Sequence, residues 1–460
     1  MEQIVAWTTA FRDMLWSAYF LVPLLVGTGL LMTVRLKFVQ VRKLGHSVNL
    51  TRGLYDHPDD PGEVTHFQAL SSALSSTVGT GNIAGVATAI ASGGPGAIFW
   101  MWITGILGMA TKFTECTLAV RYREITDDGV VRGGPMYYIS KGLAETGNPL
   151  FARLGTPLGH MFAFCVSISA IVGSGLVQAN SAAAALHASF DIPEYITGIV
   201  MALLVGSVII GGIKRIGAVT SRLVPIMATL YTIAILMLLF TYWHTIPDAI
   251  SMIFYYAFNP MAAVGGFAGA TVNQALSLGA SRGAFSNEAG LGTAPIAHAA
   301  AKTKEPVREG LVAMMEPLID TLGINTLTAL AILTTGVWQS GESGAVLTSN
   351  AFDQGLPGQG GYIVGIALFM FGTSTSITQA YYGNRAMDFL FGRRPAELYR
   401  WLYAGLHVFG AVAALQFVWT MADIANGLIA LPNLLALIML SGYVTIMAKK
   451  YFSEPQERTI

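Results

Sequence analysis

Residues 71–96 read SSALSSTVGTGNIAGVATAIASGGPG, a run long and apolar enough to cross a bilayer yet interrupted at its centre by Gly79, Thr80, Gly81 and Asn82. In lipid every backbone N–H and C=O must be satisfied within the protein. An interruption at that depth therefore persists only where it lines a cavity or where a ligand supplies the missing partners. Secondary transporters carry such interruptions in pairs. The competing reading is a small-residue seam that lets two helices approach closely.

Composition favours a membrane protein. The chain is 53% hydrophobic and only 11% charged, whereas an ordinary soluble domain carries about 25% charged residues. Such a chain cannot clothe a water-facing surface. Its formal net charge of zero argues against nucleic acid as a partner, which a basic excess would announce. Cys116 and Cys165 both fall in apolar segments and suggest neither a disulfide framework nor a metal site. The N-terminal run MEQIVAWTTAFRDML lacks a basic leader and a cleavage pattern, so it reads as retained.

Counting apolar stretches of about 20 residues gives eleven candidate spans: 14–34, 67–92, 96–122, 160–189, 196–212, 216–242, 259–279, 311–337, 361–389, 399–420 and 424–447. Lys and Arg fix their direction. Arg35, Lys37, Arg42, Lys43 and Arg52 follow the first span, and the loops after the third, fifth, seventh and ninth spans and the tail with Lys449, Lys450 and Arg458 are basic too. All fall on one side if the spans alternate. The opposite loops carry Asp191, Glu194, Asp248, Glu342 and Asp353, with Arg12 the exception there and Lys112 inside the third span. The positive-inside rule then places the N-terminus outside and the C-terminus in the cytoplasm of a multi-pass cell-membrane protein.

Setting the first span aside leaves five and five, of opposite topology. The expected architecture is an all-α membrane protein of 11 transmembrane helices, a 5+5 inverted repeat preceded by one extra N-terminal helix. Its parts are an N-terminal helix and inner loop at 1–62, a first repeat at 63–243, a second at 244–448 and a cytoplasmic tail at 449–460. The leading span of each repeat is rich in breakers, GTGN at 79–82 and GGFAGAT at 265–271. Glycine-interrupted spans at corresponding positions of two inverted halves point to a transporter's binding site. Residues 282–301, RGAFSNEAGLGTAPIAHAAA, make a poor span and read as a short inner-side or re-entrant helix.

Over roughly residues 67–392 the chain resembles the alanine or glycine:cation symporter family, which shares the fold of the bacterial leucine transporter. The stretches that carry the resemblance are FQALSSALSSTVGTGNIAGVATAIASGGPGAIFWMW, GMATKFTECTLAVRYRE, GGPMYYI, VQANS and RGAFSNEAGLGTAPIAHAAAKT. The resemblance implies sodium-driven uptake of a small neutral amino acid by alternating access. Elementary chemistry agrees: N–H groups freed at a helix break suit a carboxylate, and freed carbonyls with nearby hydroxyls suit a hard monovalent cation. No charged side chain is needed at the break for either role.

Carried over by position, the resemblance assigns Gly79, Thr80 and Gly81 to the substrate carboxylate, with Thr77 and Asn82 nearby, and the carbonyls of Ser75 and Val78 to Na+. In the ninth span, FMFGTSTSITQAYYGNR, it assigns a carbonyl of Phe371 and the hydroxyls of Ser374 and Thr375 to the same ion. Back-bonding to the preceding helical turn is the alternative for those hydroxyls. Gln178 resembles a residue lining the substrate pocket, the alternative being interhelical glue, for which Asn180 is the better candidate. Phe267 and Gly269 are expected to give the pocket an apolar wall and a backbone contact, although Phe267 also suits ordinary packing.

Two departures touch selectivity. Gln379 stands where the family usually has tryptophan, four residues after Thr375, and Leu176 where asparagine often precedes VQAN. An amide shorter than an indole enlarges the pocket and adds a donor and an acceptor, so a larger or more polar neutral amino acid than alanine is expected. Lys112 and Glu115, one turn apart, read as a mutual ion pair. Glu288 reads as an anchor or gate element, while Glu316, Asp320, Asp388, His407 and Asp423 read as solvated near span ends, with His187 and His298 at boundaries. These groups keep proton coupling as the alternative to sodium. A channel would show filter repeats or rings of charge, and an enzyme a nucleophile–base or metal constellation. Neither pattern appears, and the chain is read as a monomer in membrane lipid whose partners are the amino acid and Na+.

Overall fold

The computed structural model describes residues 2–17, 19–413 and 415–455; Arg458 of the basic tail lies outside them. Helices dominate. In chain order the principal ones are α1 (Glu2–Leu15), α2 (Leu21–Arg35), α3 (His66–Thr77), α4 (Val86–Gly93), α5 (Gly96–Arg121), α6 (Pro149–Phe190), α7 (Glu194–Ile209), α8 (Gly212–Thr241), α9 (Val272–Asn287), α10 (Ala294–His298), α11 (Pro306–Thr334), α12 (Gly344–Gly355), α13 (Gly360–Phe391), α14 (Arg393–Val412) and α15 (Leu415–Ser453). The only sheet among the described residues is a two-stranded antiparallel hairpin, β1 (Glu124–Ile125) with β2 (Val131–Arg132). Among the described residues six helices are long and apolar enough to cross a membrane, and α2 and α7 are shorter apolar helices.

Helices α3 and α9 start the same way. Thr65 accepts the N–H of Gln68 at 3.2 Å while Gln68 Oε1 accepts the N–H of Thr65 at 3.1 Å; Thr271 and Gln274 repeat the exchange at 3.2 and 2.8 Å. Each reciprocal cap satisfies two orphan donors of a first turn. Both helices then stop inside the protein. After Thr77 the chain is extended at Val78 and resumes as a widened π turn over Gly81–Gly85 that runs into α4. After Asn287, Glu288 is left-handed at φ 55, as are Gly290 at φ 87 and Gly292 at φ 78, before α10 begins.

This corrects the sequence reading of the second interruption. Residues 265–271 are not a broken helix but a tight hairpin preceding α9, with Met261 and Ala270, and Val264 and Phe267, exchanging backbone bonds. Gly265 and Gly269 take positive φ there, at 58 and 87, so the glycines serve a turn. The real gap is SNEAGLGT, at Glu288–Thr293, within the stretch expected to be a re-entrant piece.

Close helix packing depends on small residues. Helices α5 and α9 meet at Gly279, where an added Cβ would drive into the Ala97 carbonyl and lie 2.8 Å from Trp100 Cβ. Overpacking of this kind typically costs about 1–3 kcal/mol. Gly279→Ala is expected to lower the membrane yield and the melting temperature in detergent, read by size-exclusion chromatography after heating; an unchanged profile would refute this account of the contact.

Candidate functional site

The two gaps face each other, and side chains from α6, α11 and α13 close around them. At the first gap the Gly79 N–H donates to Asn82 Oδ1 at 2.8 Å, and the Thr80 N–H donates to Gln178 Oε1 at 3.3 Å. Both freed donors are thus held by side-chain oxygens. Asn82 Nδ2 reaches α11, donating to Asp320 Oδ1 at 2.5 Å and to Asn325 Oδ1 at 2.8 Å. Ser286, just before the second gap, donates to Asp320 Oδ2 at 2.8 Å and accepts from Asn325 Nδ2 at 3.0 Å, and Thr321 also donates to Asp320 Oδ2 at 2.8 Å. Asp320 is fully buried. The cluster joins α9, α11 and the turn after Gly79 around one carboxylate.

Local helix geometry explains why these groups converge. Residues 318–325 form a π segment, whose i→i+5 hydrogen bonding widens the turn so that Asp320 and Asn325 share a face, which an α-helix would deny to residues five apart. Residues 170–176, preceding Gln178, are also a π segment, as are Gly81–Gly85 around Asn82. Three of the four π segments among the described residues therefore border this site.

A second group of oxygens lies one turn away. Ser75 Oγ is 2.7 Å from both the carbonyl and the hydroxyl of Ser374, and Thr375 Oγ1 is 3.4 Å from the Val78 carbonyl. Four of the five positions expected to hold sodium are thus side by side. Phe371, the fifth, is buried on the same helix one turn earlier, its ring 5.4 Å from that of Tyr231. Buried hydroxyls and carbonyls with no cation among them supply the hard neutral oxygens that a monovalent ion prefers.

Gln379 is also here, but its amide faces another protein group. Nε2 donates to Glu288 Oε1 at 2.5 Å and to Ser76 Oγ at 3.3 Å, while the other oxygen of Glu288 accepts from Ser76 at 2.8 Å and from Thr293. Glu288 therefore ties the second gap to α3 and α13. Thr77 is buried and its hydroxyl lies 3.3 Å from the Leu74 carbonyl, so it back-bonds within α3. Gly81 packs on Ser286, an added Cβ falling 3.3 Å from its Cα. Asn180 braces α6 against α14, donating to the carbonyls of Gly410 at 3.0 Å and Ala413 at 2.7 Å.

Phe267 and Gly269 are not part of this assembly. The Phe267 ring packs against Trp338 at 5.6 Å and beside Gly94, about 20 Å along the helix from Gly79 at 1.5 Å per residue. The pairing expected within α5 is also corrected. Lys112 Nζ binds Glu316 at 2.9 Å, whereas Glu115 accepts from Asn433 Nδ2 at 2.6 Å. Glu316, Asp320, His298 and His407 are buried rather than solvated.

A cavity of about 1220 Å³, lined by Ala84, Ser181, Arg282, Trp419 and Asp423 among others, descends towards the site. At its wall Arg282 binds Asp423 at 2.6 Å and Phe285 stacks on Trp419 with centroids 5.3 Å apart.

Helices interrupted in pairs around buried oxygens, within a bundle of membrane-length helices, define a secondary transporter with the leucine-transporter fold. A similar architecture occurs in MhsT, solved with L-phenylalanine, at TM-score 0.57 and 13% identity over 86% of this chain and 94% of that one. A manganese transporter of Eremococcus coleocola is similar at TM-score 0.52 and 16% identity, over 85% of this chain and 82% of that one. The chain belongs to the sodium:alanine symporter family, whose sequence pattern matches residues 1–459. Its relatives include a sodium/alanine symporter, AgcS, of Methanococcus maripaludis, 43% identical over 98% of this chain and 97% of the relative. A probable sodium/glutamine symporter, GlnT, of Bacillus subtilis is 36% identical over 98% and 91%. The protein is a membrane transporter and not an enzyme.

Proposed function

We propose that this protein is a sodium-coupled symporter that imports a small neutral amino acid by alternating access, with its substrate between the two gaps. The observation that carries the reading is the convergence of Gly79, Thr80, Gln178, Asn82, Ser286 and Asp320 where α3 and α9 stop. A substrate carboxylate takes the place of Gln178 Oε1 on the Thr80 N–H, next to the N–H groups of Gly79 and Gly81. One sodium ion is held by oxygens of Ser75, Val78, Phe371, Ser374 and Thr375. The single buried carboxylate of Asp320, with Asn82, Ser286 and Asn325, offers a second cation position.

In this reading α2 is the extra N-terminal span, and the rest form two inverted five-helix units at 63–243 and 244–448. The N-terminus is outside, and the tail from 449 is cytoplasmic. The working unit is one chain in lipid. Relatives are named for alanine and for glutamine, and Gln379 selects the larger, more polar end of that range. Sodium is favoured over protons because the Ser75–Ser374–Thr375 oxygens are neutral.

Uptake into proteoliposomes, driven by sodium, lithium or a proton gradient alone, tests the reading. Saturable uptake that needs sodium is expected, and uptake indifferent to every gradient would overturn it. Gln379→Trp removes a donor from Glu288 and refills the space. Its expected effect is about a tenfold loss of competition by glutamine or asparagine relative to alanine, or about 1.4 kcal/mol. An unaltered competition series would remove Gln379 from the selectivity surface.

A further inference from the structure

Away from the transport site, ionisable side chains form a continuous buried chain. Lys112 Nζ on α5 binds Glu316 Oε2 at 2.9 Å; Glu316 Oε1 faces His298 Nε2 at 2.7 Å; His298 Nδ1 faces Glu309 Oε1 at 2.5 Å; and Glu309 Oε2 bonds His66 Nδ1. Among the described residues His66 Nε2 has no hydrogen-bond partner, and it points at Asp56 Oδ1, 3.8 Å away, on a side chain 34% exposed. Lys112, Glu316, His298 and Glu309 are all 0% exposed. The chain thus runs from an accessible acid to a lysine in the interior.

Its members join the parts that must separate for the inner side to open. His298 ends α10, the inner half of the second interrupted helix. His66 begins α3, the inner half of the first, and Glu309 and Glu316 lie on α11. Backbone bonds reinforce the join: the N–H of Glu63 donates to Ala300 O at 2.7 Å and that of Lys302 to Val64 O at 2.8 Å. Arg123 adds a clamp, donating to the carbonyls of Ala299, Ala301, Pro61 and Thr303 at 2.6–2.8 Å.

The chemistry of His298 makes this join sensitive to protons. Each ring nitrogen faces a carboxylate, and only the imidazolium has an N–H for both. A neutral ring turns one lone pair onto a buried carboxylate, and breaking a buried pair is strongly destabilising. The other ionisable groups around the ring do not replace that proton. Lys112 is engaged by Glu316, Arg123 by carbonyls, and Arg308 donates to the Tyr55 carbonyl at 3.2 Å. Glu115 is turned to Asn433, and Glu288 is held by Ser76 and Gln379.

We propose that the His66–Glu309–His298–Glu316–Lys112 chain is a proton site filled from the cytoplasmic phase through Asp56, and that its proton latches α10 to α3 and α11. The latch holds while the histidine proton is in place and is lost as rising pH removes it. Acidic cytoplasm therefore slows inward opening, and alkaline cytoplasm speeds it. Only the assignment of this end to the cytoplasm rests on the orientation proposed above.

Two measurements separate the latch from that orientation. In detergent, where both ends meet the same buffer, amide exchange at Glu63, Val64 and Lys302, corrected for intrinsic rates, is expected to quicken at least tenfold between about pH 6 and about pH 10. His298→Gln fixes exchange at the fast level and His298→Lys at the slow one, both variants retaining sodium-dependent amino-acid binding as evidence of folding. Equal, pH-independent exchange in the native protein and both variants would overturn the latch. In proteoliposomes of one orientation, uptake is expected to follow pH on the cytoplasmic side alone; control from the other side, with the exchange result intact, would overturn the orientation only. Protons carried inward in fixed ratio with the amino acid would replace the latch by co-transport.

Discussion

Asp320→Asn is expected to reduce sodium-dependent uptake at least a hundredfold while leaving a folded, monodisperse protein. The carboxylate accepts from Asn82, Ser286 and Thr321 and donates nothing. An amide of the same shape turns one of its two acceptors into a donor, so at least one buried hydroxyl or amide meets another donor. Leaving a buried group unpaired costs about 1–3 kcal/mol. Removal of the only charge in this cluster also takes away the attraction that would offset stripping a cation of water. A hundredfold corresponds to about 2.7 kcal/mol, within reach of the two effects together. The check is the sodium concentration at half-maximal uptake, measured beside size-exclusion behaviour. An unchanged sodium dependence would sink the role given to Asp320, and aggregation would place its contribution in folding instead.

Gly79→Ala is expected to be nearly as damaging for a purely spatial reason. A methyl at Gly79 would lie 2.7 Å from Thr375 Oγ1 and 3.4 Å from both polar atoms of the Gln178 amide. Gly79 does not have positive φ, so alanine meets no conformational penalty there; the obstacle is that the methyl fills the gap between α3 and α13. Loss of substrate binding by about fiftyfold or more is expected, in line with the few kcal/mol that overpacking a tight site costs. Gly85→Ala is the internal control, because nothing among the described residues lies within 4 Å of its added Cβ. Near-native uptake by the Gly85 variant with failure of the Gly79 variant assigns the effect to the gap. Equal damage in both would mean that the widened turn itself cannot tolerate alanine.

The first interruption was legible because GTGN places breakers and an amide in the middle of an otherwise unbroken apolar run. The second was not, for a physical reason. Gly265, Gly266 and Gly269 are a stronger local breaker signal than Glu288–Thr293, yet they answer to a hairpin, and glycine frequency alone cannot tell a turn from a gap. The repeated cap would have helped: Thr65-x-x-Gln68 and Thr271-x-x-Gln274 mark the starts of both interrupted helices. Counting forward from Thr271 leads to SNEAGLGT.

Side-chain partners were harder to read. Lys112 and Glu115 are one turn apart and pair on paper, but the lysine reaches across to Glu316, a choice made by tertiary packing. Asp320 and Asn325 were missed as partners because five residues separate opposite faces of an α-helix. Only the π segment turns them the same way. An acid, an amide and hydroxyls within one apolar span, at Asp320, Thr321, Asn325 and Thr326, were the signal available.

The short parallel bridge between Val64 and Ala301 buttons the abutting ends of the two interrupted helices together through main chain. That fastening survives the replacement of any single side chain, so a variant that weakens the ionic chain beside it still has to undo main-chain bonds before the ends can part.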